Sequence, residues 1–354
     1  MPARSALLED VPSGIRKARA SIYLYRAGAA HVFAHVNGST PLRSAEQLFK
    51  GDVVTAEIIR AATTQATVGT PAWAGALAQQ AIDDSIMAVA TLSAASGLID
   101  RGMKVSFDRR ASIRIPGRLL DSSDAGAWLG EGQPVPVRIQ RLTAGPTLTP
   151  HKLVVVVTFT REMAEHSAIE RVSRALIGEA TALALDKTLF GSQPDDGVTP
   201  LGILNGVTPI TPATGGGAAA MATDIGKLVS ALVAANAGRD PTLIMNPVQA
   251  TTLSLLASPR FKIPILQSSS VPVGTVIAVE SSSFVSAFDA VPEFDTADQM
   301  AIHMDDTAPA NPIMSGQPMK SLWQVDSIAL RMRVKASWGM RASGHVQVVN
   351  SCTW

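Results

Sequence analysis

One cysteine in 354 residues, Cys352, leaves this chain without an intrachain disulfide. The hydrophobic core has to carry the fold, and such thiol poverty fits a reducing compartment. Net charge is also missing: 30 lysines and arginines meet 29 aspartates and glutamates, for a formal balance of +1. Nothing in that balance gives reason to expect sequence-specific DNA binding. Charged residues make up 17% of the chain and hydrophobic ones 46%, which is the profile of a folded protein rather than a disordered one. The stretch that follows Asp83 and Asp84 as far as residue 99 and the run Leu153–Val157 read as the longest apolar candidates. Both fall short of the roughly 20 apolar residues that cross a bilayer. Residues 1–20 mix Arg4, Glu9, Asp10, Arg16 and Lys17 and lack the apolar centre of a signal peptide. The expectation is a soluble protein with no membrane partner.

Catalytic patterns are equally scarce. His31 and His35, in HVFAH, have metal spacing only on a helix. Tyr23, Tyr25, Val32 and Phe33 around them favour a strand, which would hold the pair about 13 Å apart. His303 stands beside Asp305 and Asp306 with no second histidine or cysteine, and reads as a strand end running into a loop. There is no GxSxG, and Gly215–Gly217 is followed by alanines rather than GK[ST], so it reads as a flexible tip. Cys352 has no histidine or cation close in sequence and reads as an inert thiol. No catalytic, metal or cofactor residue is assigned, and an enzyme is not expected.

What the chain does have is strand and helix patterning. Residues 22–32 suggest a strand, with short helices over 44–49 and 53–63, and 78–99 carry a moderate helical signal. Residues 105–148 form a hairpin-like excursion, broken by Pro116-Gly117, and a two-stranded ribbon of that kind needs a partner surface. HKLVVVVTFT, 151–160, alternates apolar side chains on both faces and reads as a strand buried on two sides. A helix follows from Ala168 to about Phe190, capped by Ser167 and stopped by Gly191, with a stripe of Ile169, Val172, Leu176, Ala180 and Leu183. A mixed α/β region comes next: helices over 224–235 and 247–256, strands over 242–245, 263–266, 275–279 and 300–303, and serine loops at 268–270 and 281–283. The last long strand sends Ile328, Leu330, Met332, Val334, Ala336 and Trp338 one way. Arg331, Arg333 and Lys335 point the other way, towards solvent or the acidic groups of a neighbour.

Aromatics are only 5% of the chain, so the tryptophans stand out. Trp338 reads as a core anchor. Trp73 and Trp128 sit in connector segments that offer nothing local to cover about 150 to 250 Å² of aromatic surface, and long-range or intermolecular contact is expected for both. Around Trp128 the sequence is GAWLGEGQPVPV. Its glycines permit a turn, while Pro134 and Pro136 stiffen the return and withhold backbone donors.

In that order, TPAWAGAL (70–77), AWLGEGQPVPV (127–137), KLVVVVTFTREM (152–163), ALALDKTLFG (182–191), TPLGILNG (199–206) and SLWQVDSIALRMRVKASWGM (321–340) resemble the tailed-bacteriophage major capsid protein family with the Hong Kong 97-type fold. The resemblance implies an α+β fold. Residues 1–66 would be an N-terminal extension, a scaffolding or surface module open to removal during maturation. Residues 67–107 would be the N-arm and 108–151 the E-loop. Residues 152–200 with 318–340 would form the peripheral domain, a spine helix on a long sheet, and 201–317 with 341–354 the axial α/β domain. It also implies self-assembly into pentamers and hexamers of an icosahedral shell around double-stranded DNA that is contacted non-specifically. Assembly would take place in the host cytoplasm, with scaffolding, portal, maturation protease or decoration proteins as further partners. An encapsulin-like compartment or another structural phage protein is the alternative. Trp73, Trp128, Glu131, Pro134, Pro136, Arg138, Arg141, Arg331, Arg333 and Lys335 are the expected intersubunit contacts. Residues 105–151 contain no lysine, so the isopeptide cross-link that some relatives make from an E-loop lysine is not expected.

Overall fold

Alanine decides the first element. Ser13–Val36 is one helix, α1, where the aromatic and β-branched residues suggested a strand over 22–32. Ala27, Ala29, Ala30 and Ala34 are strong helix formers, and each is at most 3% exposed. The two histidines therefore lie one helical turn apart on one face, not 13 Å apart. Among the described residues no three His, Cys, Asp or Glu side chains gather as metal ligands.

The computed structural model describes residues 13–52, 54–56, 59, 93–107, 110–118, 142–143, 145–162, 169–257, 261–288, 293–303 and 319–354. After α1 come α2 (Pro41–Leu48) and α3 (Ala94–Arg101), then β1 (Met103–Ser106), β2 (Ile113–Arg114), β3 (Gly117–Arg118), β4 (Leu142–Thr143), β5 (Thr147–Leu148) and β6 (His151–Thr160). The middle of the chain holds α4 (Ile169–Leu189), α5 (Gly217–Ala234), β7 (Pro241–Met245), α6 (Pro247–Leu256), β8 (Ile265–Gln267), β9 (Val276–Glu280) and β10 (Phe284–Phe288). The last part holds β11 (Glu293–Ala297), β12 (Ala301–His303), β13 (Met319–Ser321), β14 (Ser327–Met340) and β15 (Val346–Val349). These elements divide into two compact units, one from residues 1–91, 153–181 and 290–334, the other from 92–152, 182–289 and 335–354. The expected peripheral block, 152–200 with 318–340, draws on both.

In the first unit β11 pairs antiparallel with β14, from Glu293 opposite Arg333 to Ala297 opposite Ala329, and β6 also pairs with β14. Val155, Phe159, Ile177, Ile328, Leu330 and Met332 share its core with Phe294 and with Ala29 and Val32 of α1. Strand alternation in β14 places its apolar set inward, with Ile328 at 0% and Leu330 at 1% exposure. Two expectations need correction. β6 is not buried on both faces, since Val154 and Val156 are 45% and 50% exposed. The buried side of α4 is also offset: in the first unit Ile177 and Thr181 are inside while Leu176 is 42% exposed. Ala and Leu occur almost all round this helix, so a stripe displaced by one position fits the 3.6-residue period equally well.

The second unit contains a four-stranded sheet in the order β15-β9-β7-β8. Helices α5 and α6 cover it with Leu228, Leu232, Ala250 and Leu253, packed on Leu243, Met245, Val276 and Ala278. α5 is long and apolar enough to cross a membrane by length and composition. Here Leu228 and Leu232 are fully buried in the core. Gly216 and Gly217, with φ of 66° and 69°, lead into this helix rather than forming a free tip. Residues 281–283 form a 3-10 turn with Ser281 and Ser283 buried, not an open serine loop. β10 pairs parallel with β1 and antiparallel with residues 336–340 of β14.

Candidate intersubunit surfaces

The excursion after β1 starts from a firm base. β2 pairs with β5 through Ile113–Leu148 and Arg114–Thr147, and β3 pairs with β4 through Gly117–Thr143 and Arg118–Leu142. Two ladders this short cannot hold a ribbon in water alone. Ile115 and Leu148, at 6% and 1% exposure, instead pack onto Phe107, Val285 and Ala287 of the second unit. The Ile115 N–H donates to the Pro146 carbonyl at 3.1 Å. Gly339 leaves room for Pro146, because a Cβ there would come within 2.8 Å of its ring. The ribbon is anchored at its root, and the paired strands enclose residues 119–141. Trp128, Glu131, Pro134, Pro136, Arg138 and Arg141 all fall in that enclosed segment and, with Trp73, lie outside the described residues.

Where the ribbon returns, His151 is buried and its Nε2 lies 3.1 Å from Asp195 Oδ1. The backbone N–H of Gly197, helped by His151, holds the Asp195 carboxyl below the usual carboxylate range. Nearby, Asp186 of α4 caps α3 from outside that helix. It accepts from the Ser93 hydroxyl, the Ala95 N–H at 2.9 Å, the Ala94 N–H at 3.3 Å and the Ser268 hydroxyl at 2.6 Å. A carboxylate facing two free N–H groups at a helix start is well placed for the helix dipole. It anchors the start of α3 within the second unit.

The cationic face of β14 is paired within its own unit. Arg331 donates to Asp295 Oδ2 at 2.6 Å, and Arg333 to Glu293, each directly across the β11 ladder. Both arginines stay well exposed, at 50% and 38% of their side chains, so the pairs form a charged outer surface. Lys335 follows them on the strand and is half-buried. Trp338 is 5% exposed and donates from Nε1 to the Leu201 carbonyl at 2.8 Å.

Sequence reasoning missed the exposed apolar residues. On α6, Val248 and Leu255 stand two turns apart on one face at 62% and 80% exposure. Val273 is 66% exposed and Val198 76%, and in the first unit Trp323 is 77% exposed in the turn before β14. A tryptophan so open offers apolar surface of the kind that a partner covers. The signal in the sequence was weak: Trp323 follows Leu322, which is buried at 2%, and only the turn geometry tells the two apart. Cys352 is half-buried, and burial followed by the nearby Asp224 carboxylate pushes its thiol up to about 12.

An anchored ribbon, a helix that crosses from one unit into the other, a long strand and a small α/β sheet together define the Hong Kong 97-type capsid fold. A solved structure from Microbacterium phage Oxtober96 shares it at 14% identity, covering 73% of this chain and 90% of that one with a TM-score of 0.50. Another, from Mycobacterium phage Cain, covers 74% and 91% at 15% identity with a TM-score of 0.49. A capsid polyprotein of Pseudomonas phage PAJU2 is 26% identical over 96% of this chain, which spans 55% of that relative's length. Residues 74–280 match the phage capsid family, and the chain belongs to it.

Proposed function

We propose that this chain is the major head protein of a phage. Copies of it join into pentamers and hexamers, close an icosahedral shell and enclose double-stranded DNA. The anchored ribbon root carries this reading. A segment that leaves a base fixed by two short ladders, and whose sequence includes Trp128 among glycines and prolines, is suited to lie on another molecule. The subunit presented by the exposed apolar side chains of α6 and by Trp323 is a structural building block rather than a catalyst. Contacts of this kind are head-to-tail, and a shell results when their rotation closes into rings. Each copy ties to several neighbours, so modest pairwise affinities reinforce one another through effective concentration. A net charge of +1 suits a lining that tolerates packaged DNA without gripping it. Assembly takes place in the host cytoplasm, and the further partners are scaffolding, portal, maturation protease or decoration proteins.

Negative-stain microscopy of the expressed chain tests the reading. Rings or closed shells are expected, and a protein that stays monomeric at every concentration and salt would sink it. Nuclease-protected DNA inside particles from infected cells marks a phage head. Protein cargo without DNA would mark an encapsulin-like compartment.

A further inference from the structure

Residues 13–52 lie ahead of the segment that matches the phage capsid family, 74–280, and their place in the sequence is that of an appendage. Their packing says otherwise. From Arg26 to Val36 no residue of α1 is exposed. A helix laid on a surface keeps a polar, open face, whereas this one is enclosed on two sides. Ala29 and Val32, at 2% and 1% exposure, enter the same cluster as Phe294, Leu330 and Met332. Beside them Gly28 brings the helix backbone close to the sheet: a Cβ there would lie 3.6 Å from the Phe294 ring and 3.8 Å from Leu330. The opposite side, Ala27 and Ala30, packs with Ala45 of α2 and with Ile59. Polar contacts fix both ends of this stretch. His35 Nε2 is 3.0 Å from Asp298, and Arg26 reaches Asp52 at 2.7 Å while lying over the Phe49 ring.

We propose that α1 and α2 are a permanent part of the capsid subunit, completing the core of its first unit in the assembled shell, and not a scaffolding segment discarded during assembly. Removing them would return the Phe294–Leu330–Met332 face to water, at a free-energy cost proportional to the apolar area exposed. A segment meant to leave is better joined through solvated polar contacts than through alanines interleaved with the core.

Hydrogen exchange on the full chain tests the docking, and mass measurement on shells tests the retention. Amides of residues 27–34 are expected to exchange at least about 100-fold more slowly than unstructured ones, as a core segment does. Gly28→Ala, whose methyl makes ordinary contacts, should keep that protection. Ala29→Asp should abolish it, or leave the chain insoluble while Gly28→Ala folds. Subunits from purified shells should contain residues 13–52 in equal amount with the rest. Free exchange in α1, an Ala29→Asp chain with unchanged protection, or intact shells whose subunits lack residues 13–52 would each overturn the proposal. The retention arm rests on the shell reading. If no shells form, that reading fails on its own while exchange in the free subunit still decides whether α1 is core.

Discussion

Asp186 and Glu280 are carboxylates at 6% and 2% exposure, and both are held by hydroxyl and backbone N–H donors. Glu280 accepts from Gly238 at 2.6 Å, from Arg239 and Asp240 at 3.0 Å, and from the Ser282 hydroxyl at 2.6 Å. Burial alone would raise its pKa, but the Ser282 hydroxyl and the three N–H groups outweigh it and hold the carboxyl below its ordinary 4.5. The folded state then binds this proton more weakly than the unfolded chain. The resulting stability is fully present above the ordinary value and disappears as pH falls through the lower folded one. In urea unfolding followed from about pH 7 to 3, Glu280→Gln should cost about 1 to 3 kcal/mol at neutral pH and show a shallower acid loss than wild type. Asp186→Asn keeps one acceptor for Ser93 and the α3 N-terminus but gives up the charge. A loss of about 1 to 3 kcal/mol is expected in the same assay, and an unchanged midpoint would show that the cap contributes nothing.

At the scale of elements, β14 and α6 separate stability from assembly. The Arg331–Asp295 and Arg333–Glu293 pairs are solvent-exposed ladder pairs, and such pairs contribute roughly 0 to 1 kcal/mol. Arg331→Ala and Arg333→Ala should each shift the unfolding free energy by under about 1 kcal/mol. If particle yield collapses while stability holds, the arginines contact neighbouring copies; if both hold, that face is solvated in the shell. Leu255 is 80% exposed on α6. Leu255→Asp should leave monomer stability within about 0.5 kcal/mol, and sedimentation should show fewer rings or shells. Normal assembly of this variant would remove α6 from the interface.

At the scale of the whole molecule, the proposed role of the ribbon is to join one copy to the next. Its root is packed within the subunit, so substitutions at Ile115 or Leu148 act on folding. Trp128, in the sequence between β3 and β4, should behave differently. Trp128→Ala is expected to lower shell yield well before it lowers subunit stability, compared by light scattering and thermal unfolding of the same preparations. A destabilised monomer that still assembles normally would contradict the ribbon's role.

The sequence by itself determined the elements with a clean period. The alternation of β14 and the helix over 247–256 read correctly, because one buried face leaves a two-residue or 3.6-residue rhythm. The segment order was also enough to point to the capsid fold. It could not decide the elements whose residues suit two structures. In SIYLYRAGAAHVFAHV, β-branched and aromatic residues argued for a strand, and the burial of Ala27 and Ala30 on one side and Ala29 and Val32 on the other made it a helix. In α4 alanines and leucines spread over several faces of the helix hid which stripe faces inward. Arg331 and Arg333 gained partners only through the β11 register, and Asp186 met Ser93 and Ser268 across 93 and 82 residues of chain. Tertiary structure decided these because burial and donor pairing are properties of neighbours in space, and a local pattern carries no record of which distant residues those neighbours will be.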